Sequence, residues 1–319
     1  MALVSVVAPM HDEAGTVGPL YERVVRALVG VEWELVLVDD GSRDGTGTEL
    51  ARLAAEDERV RVIALSRSFG HQAALTAGLE HARGDAVVMM DGDLQDPPEV
   101  IPAMIQRWRE GAEVVYAVRE TRAGETPFKL VTARWFYRLF RRLTDVDLVA
   151  ESGDFRLMDR RALHALLAMP ERNRFLRGMS VWVGFTQTAV PFSREARSTG
   201  RTKYTLSRML RLSFDAITSF SNRPLQWATV LGFTFSVLAF LCIPLTVVAR
   251  YADIYERGVP TTIVVVLLLG GIQLITVGII GEYVGRIYDE VKRRPLYVVR
   301  ERLNAEAPEE RHEPADSAR

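Results

Sequence analysis

Val87-Val-Met-Met-Asp91-Gly-Asp93-Leu-Gln95-Asp-Pro-Pro98 decides how the rest of the chain is read. A short apolar run ends abruptly in an acidic, glycine-containing turn, the pattern of a strand buried on both faces that stops at a polar edge. Val4–Ala8 and Leu35–Val38 repeat the pattern, ending in Pro9 to Glu13 and in Asp39-Asp40-Gly41-Ser42. Helical periodicities lie between them at 17–29, 47–55 and 72–82. Strands alternating with helices at this spacing predict an α/β, doubly wound sheet. Ligands bind such sheets beyond the carboxyl ends of the strands, so all three polar clusters are expected on one edge.

Each cluster has a chemistry. Asp91 and Asp93 flank a glycine that permits a tight turn, and two hard oxygen donors suit Mg²⁺ or Mn²⁺ carrying a diphosphate. Gln95 and Asp96 just downstream would equally serve as helix caps. The Asp39-Asp40 carboxylates suit hydrogen bonds from a base or ribose, although Asp40-Gly41 also makes a good turn and Ser42 or Asp44 a good cap. Glu151-Ser-Gly-Asp154-Phe-Arg156 is read as either a catalytic carboxylate or a structural turn. Arg197-Ser-Thr-Gly-Arg201-Thr-Lys203-Tyr204 is either a phosphate clamp or a solvated loop. His11 and His71 are expected to pack or hydrogen-bond rather than bind metal. No Gly-x-Gly-x-x-Gly follows an early strand and no Gly-x-x-x-x-Gly-Lys-Ser/Thr is present, which disfavours dinucleotide oxidoreductases and P-loop ATPases.

Behind this region lie two uncharged apolar stretches, Pro224–Ala249 and Pro260–Gly281. Each exceeds the roughly 20 residues a helix needs to span a bilayer. Arg and Lys cluster around 129–142, 194–211 and 286–302, whereas the short connection 250–259 holds only Arg250 and Arg257. The asymmetry puts both termini in the cytoplasm. No basic n-region precedes the first strand, so no signal peptide is expected. Segments 128–143 and 204–220 read as amphipathic helices with basic rims, either suited to a headgroup layer or ordinary surface helices packed on the sheet, the second favouring the membrane because it adjoins the first apolar stretch. The 319 residues carry 40 Lys and Arg against 41 Asp and Glu, a formal charge of −1 that gives no general attraction to nucleic acid. The single cysteine, Cys242, excludes an intramolecular disulfide. Domains are expected at 1–220 (catalytic, with juxtamembrane helices), 221–290 (two spans, about 224–249 and 260–282) and 291–319 (a cytoplasmic tail, partly disordered from its Glu, Pro and Ala content).

Taken in order, several stretches carry a family resemblance from about Val4 to Arg300. They are Val6-Val-Ala-Pro9 with Glu13, Leu37-Val-Asp-Asp-Gly-Ser42, Ser68-Phe-Gly-His-Gln-Ala-Ala-Leu75 and Met90-Asp-Gly-Asp-Leu-Gln-Asp-Pro-Pro98. Gly153-Asp-Phe-Arg-Leu-Met158, Arg174-Phe-Leu-Arg-Gly-Met179, Gly200-Arg-Thr-Lys-Tyr204 and Gly281-Glu-Tyr-Val-Gly-Arg-Ile-Tyr288 follow. The chain resembles a GT-A glycosyltransferase of family 2, in the polyprenyl-phosphate branch that includes bactoprenol glucosyltransferases and dolichol-phosphate mannose synthase. That resemblance implies a Rossmann-like GT-A domain with interfacial helices and a two-helix transmembrane hairpin. It implies Pro9, Glu13, Asp39 and Asp40 around the nucleotide, Asp91 and Asp93 on a metal diphosphate with Gln95 close by, and Asp154 near the acceptor. Arg119, Lys129 and Thr132, with Arg197, Arg201 and Lys203, would hold the acceptor phosphate. Asp12 and Ser68 depart from the pattern, since asparagine is commoner at both places.

The implied reaction is inverting transfer of one sugar, with UDP-glucose favoured, to undecaprenyl phosphate at the cytoplasmic face of a bacterial inner membrane, for cell-envelope glycosylation. A GDP-mannose-dependent mannose synthase is the alternative, and a non-catalytic nucleotide-sugar-binding membrane scaffold is the reading from another class. A processive polysaccharide synthase fits less well, because Val131 stands where its Gln-x-x-Arg-Trp motif requires glutamine. The basic helices and span surfaces leave room for a homo-oligomer, a tetramer among the options.

Overall fold

The computed structural model describes residues 2–119, 152–192, 223–251 and 259–307. The chain divides into two units, one built from 1–137, 146–203 and 295–319, the other from 138–145 and 204–294.

The first unit opens with β1 (Leu3–Met10), α1 (Ala14–Ala27), β2 (Glu32–Asp39), α2 (Thr46–Glu56), β3 (Val60–Leu65), α3 (His71–His81) and β4 (Ala86–Met89). A short 3₁₀ turn at Pro98–Val100 leads into α4 (Ile101–Arg109), β5 (Val114–Arg119), β6 (Ser152–Asp159), α5 (Arg160–Leu167), α6 (Leu176–Trp182) and β7 (Gln187–Phe192). Residues of the apolar runs, among them Val6, Val7, Leu35, Val36, Val87 and Val88, are fully buried, as strands covered on both faces require. In α1, Val17, Leu20 and Val24 form the inward stripe spaced at one helical turn.

All strands join one sheet in the order β7-β5-β6-β4-β1-β2-β3-β8, where β8 is Val299–Leu303. β4, β1, β2 and β3 are mutually parallel, so the doubly wound expectation holds for this half of the sheet, and the strand order reverses at β1/β4. Beyond it the sheet becomes mixed. β6 runs antiparallel to both β4 and β5, and β7 runs parallel to β5. That departure brings the beginning of β6 to the edge where β4 ends.

The C-terminal stretch also differs from expectation. Within the segment read as a tail, Val299–Leu303 pairs antiparallel with β3. Alternation of Val299, Glu301 and Leu303 with arginines was too short a signal beside the charged, proline-rich remainder.

In the second unit, α7 (Arg223–Tyr251) and α8 (Val259–Val291) pack on each other and occupy the places of the two expected spans. Among the described residues, Leu268–Val291 is long and apolar enough to cross a membrane, while Leu225–Leu238 is a shorter apolar stretch. The two-helix hairpin of the sequence reading thus has both helices, but one stretch that meets the length and composition of a span. α8 runs past the expected end at 282, supported on its polar face by the i,i+4 pair Glu282–Arg286. Phe233, Phe240 and Leu274 stand exposed on these helices.

Candidate active site

Three loops meet at the carboxyl ends of β1, β2 and β4. The β2 loop is fixed first. Asp39, at the end of β2 and almost fully buried, accepts a hydrogen bond from the Ser42 amide at 2.8 Å. Asp40 accepts three, from Ser68 Oγ at 2.8 Å, Phe69 N at 2.7 Å and Gly70 N at 3.0 Å. Expected to line a nucleotide pocket, Asp40 has both oxygens engaged in holding the 68–70 loop. Gly41 is required where this turn passes the 67–68 backbone. It has φ +66°, and a Cβ there would lie 2.5 Å from both Arg67 C and Ser68 N.

The β1 loop is laced onto the same turn. Asp12 donates its amide to Ser42 Oγ at 3.1 Å and accepts from Arg43 N at 2.8 Å. Glu13 N donates to Thr46 Oγ1 at 2.8 Å, and His11 Nδ1 lies 2.9 Å from the Asp40 carbonyl. The 91–93 loop packs against this strand end. A Cβ on Gly92 would fall 2.3 Å from Met10 Sδ, 2.9 Å from Pro9 O and 3.0 Å from Glu13 Oε2. The glycine of Asp-Gly-Asp thus serves close approach. The left-handed residue of this turn is Leu94, with φ 62°. Pro9, Glu13, Asp39, Asp91 and Asp93 all sit at this edge, as the sequence reading required.

Asp154 arrives from β6. Its register pairs Met89 with Arg156, so two residues on in each strand Asp91 and Asp154 reach the same level. Between them stands His71, the first residue of α3. Its Nε2 lies 3.5 Å from Asp91 Oδ1 and 3.3 Å from Asp154 Oδ2. Gln72, next on the helix, donates Nε2 to Asp154 Oδ2 at 3.0 Å and accepts from Leu176 N at 2.9 Å. Arg177 Nε approaches Asp154 Oδ1 at 3.6 Å. Behind them the buried Arg156 donates to the carbonyls of Gly153 (2.7 Å) and Arg177 (3.2 Å) and to Ser180 Oγ.

These contacts set protonation. Burial alone would raise the Asp154 pKa, but the hydrogen bond to His71 and the Arg177 charge outweigh it and hold the carboxyl well below the usual range. Burial works against charging His71 as well. The Asp154 hydrogen bond and the Asp91 and Asp154 charges overcome it and push its pKa up to about 9. Burial lowers Arg156 to about 10, against the attraction of Asp154, which leaves it charged at neutral pH. These shifts favour the protonated form of His71 between the two carboxylates.

Among the described residues no group of three or more His, Cys, Asp or Glu gathers as a metal cage. Asp93 accepts from Gln95 N at 3.1 Å and Gln95 Nε2 at 2.7 Å, yet a carboxylate has about four lone-pair sites and can still ligate. Two carboxylates at a strand edge fit a hard divalent cation that takes its other ligands from diphosphate and water. Lys129, Thr132, Arg197, Arg201 and Lys203, like the amphipathic segments around them, lie outside the described residues. For Arg119 only its place at the end of β5 is described. Sequence reasoning missed the roles of Gln72 and Arg177 and the cationic state of His71. All three stand inside the stretches 68–75 and 174–179 that carried the resemblance, but a lone histidine or arginine there gives no sign of its partner.

The sequence profile of glycosyl transferase family 2 matches residues 5–167. An uncharacterized glycosyltransferase of Bacillus subtilis, YkcC, is 46% identical over 95% of this chain and 94% of its own length. A prophage bactoprenol glucosyl transferase homolog of Escherichia coli is 39% identical over 93% and 98%. Glucosyl-3-phosphoglycerate synthase from Mycobacterium tuberculosis, crystallised with Mn²⁺, UDP-glucose and phosphoglyceric acid, covers 68% of this chain and 77% of its own at 20% identity and TM-score 0.47. That likeness is too distant to bear on ligands.

Proposed function

Since the chain belongs to glycosyl transferase family 2, in its polyprenyl-phosphate glycosyltransferase branch, we propose that it transfers one sugar from a nucleotide-sugar donor to undecaprenyl phosphate, with UDP-glucose the favoured donor. The observation that carries this reading is the meeting of Asp91 and Asp154 on either side of His71. A metal-diphosphate carboxylate and an acceptor-side carboxylate are thereby within one side chain of each other.

Bound at Asp91 and Asp93, Mg²⁺ or Mn²⁺ would offset charge on the departing diphosphate. The remaining tasks fall to the chain. A phosphomonoester has its second pKa near 6, so at neutral pH the acceptor is already largely dianionic and needs no strong general base. Asp154 is a poor base in any case, because His71 and Arg177 stabilise its ionised form. Its role is to orient those two cations. His71 and Arg177 then oppose the repulsion between acceptor dianion and donor diphosphate, with Lys129, Arg119 and the 197–203 loop assigned the acceptor phosphate. The acceptor oxygen attacks the anomeric carbon as the bond to the nucleotide diphosphate breaks, inverting that centre.

Chain connectivity supports a membrane hairpin. The chain is in the sheet at β7 and is back in the same sheet at β8. A single crossing between those points would strand β8 across the bilayer from β3, so crossings must come in pairs. If Leu268–Val291 spans, α7 is its natural counterpart, with the catalytic domain and both ends of the chain cytoplasmic. Incubating detergent-purified protein with undecaprenyl phosphate, Mg²⁺ or Mn²⁺ and a panel of labelled nucleotide sugars tests the reading. Label should enter the lipid from one donor, and stop on chelation or in Asp91→Ala. Nucleotide binding with no transfer from any donor would favour the scaffold.

A further inference from the structure

We propose that Arg300, in the strand that follows the second long helix, is a positioning residue of the donor site that holds Asp39 for a nucleoside diphosphate. The proposal rests on the glycosyl-transfer reading, because that reading gives the Asp39 edge its ligand.

The placement comes from an irregularity in β8. Val62 pairs with Leu303, Ile63 with Arg302 and Ala64 with Glu301, but Leu65 pairs with Val299. The register slips by one residue, and Arg300 is the one left over. A bulge of this kind bends the strand and re-aims a side chain. Here the guanidinium points to the ligand edge, where Arg300 NH2 lies 3.9 Å from Asp39 Oδ2. Ser42 N holds the other oxygen of the same carboxylate. Asp39 is therefore hydrogen-bonded by its own turn and faced at ion-pair distance by a residue more than two hundred positions later in sequence.

Stability does not account for the contact. The Arg300 side chain is 57% exposed and its separation from Asp39 is 3.9 Å, so solvent screens the pair and it adds little to the fold. Nor does the strand need Arg300 for docking. Ser66 N donates to Val298 O at 2.9 Å, and Tyr297 OH donates to Glu80. Arg302 Nε donates to His81 Nε2 at 3.2 Å, and Asn304 Nδ2 reaches the carbonyls of Ala54 at 2.6 Å and Val60 at 3.0 Å. These bonds secure β8 on both sides of the bulge. Arg300 is a cation on an already anchored strap, beside the carboxylate of the nucleotide turn, with most of its donor capacity turned to solvent. Its positive charge also opposes the repulsion that Asp39 and Asp40 would exert on an incoming diphosphate.

The test is titration of full-length, detergent-purified protein with UDP and, separately, GDP, comparing the parent with Arg300→Ala and Arg300→Lys. Donor KM, kcat and the thermal midpoint are measured on the same samples. Arg300→Ala should weaken nucleotide binding about 2- to 5-fold, the range of a solvent-screened ion pair, and raise donor KM in step. Its kcat should stay within about twofold and its midpoint unchanged. Arg300→Lys should restore part of the affinity. Unchanged nucleotide affinity in Arg300→Ala overturns the proposal, as does a loss matched by a fallen midpoint that lysine does not repair. A parent that binds nucleotide but transfers no sugar sinks the transfer reading alone. One that binds neither nucleotide sinks both.

Discussion

Replacing Asp40 separates a structural carboxylate from a nucleotide-binding one. Its side chain accepts from Ser68 Oγ, Phe69 N and Gly70 N. Hydrogen bonds to an ionised acceptor contribute roughly 1.5–3 kcal/mol each when their partners stay buried. Ser68 and Gly70 reach solvent and Phe69 is half-buried, so water would take over part of the lost bonding. Asp40→Ala should then cost about 2–3 kcal/mol in all, and Asp40→Asn, which keeps one acceptor oxygen, about half as much. For a domain of this size each kcal/mol lowers the midpoint by about 2–4 °C, so Asp40→Ala should melt about 5–10 °C early in differential scanning fluorimetry. The loop it holds leads directly into His71, so kcat should fall further than donor affinity. An Asp40→Ala protein that melts like the parent and shows only a raised donor KM would refute this account and return Asp40 to the nucleotide.

Other perturbations read other parts of the argument. Gly41→Ala sets a methyl group against the 67–68 backbone in a left-handed conformation and should cost about 3 kcal/mol or more; a urea midpoint equal to the parent's would contradict the close approach. Asp57 accepts from Arg59 and from Tyr21 OH, and the Arg59 bond, against burial, lowers its pKa from 3.8 to about 2. Because the folded-state value is depressed, its contribution of about 2 kcal/mol is complete above pH ~4 and lost as pH falls through about 2. The midpoint difference between parent and Asp57→Asn should shrink over that window, and a constant difference would exclude the ionised pair as its source. Asp154→Asn leaves Arg177 and Arg156 without their counter-charge and His71 with Asp91 alone. It should abolish transfer and lower stability by about 3–5 kcal/mol, whereas parent-like turnover would remove Asp154 from the site.

Much of this was legible in the chain itself. Apolar runs ending at Pro9, Asp39 and Asp91 mark parallel strands, because a strand buried on both faces must be continuously apolar and a strand end at a ligand edge must not be. Local chemistry also identifies the turns. It does not reveal where a carboxylate is spent in bonding, and Asp39 and Asp40 look alike in sequence. They differ only because the 68–70 loop folds over one of them and Arg300 approaches the other.

The sequence by itself determined the strand–helix alternation, the acidic edge and the two long apolar helices, since each depends on residues near one another in the chain. Tertiary structure alone decided the rest. The antiparallel entry of β6 beside β4 sets Asp154 level with Asp91, and α3 delivers His71 between them. The bulge in β8 turns Arg300 toward Asp39. Each is a consequence of strand order and register across residues far apart in sequence, which no periodicity or motif within a single segment encodes.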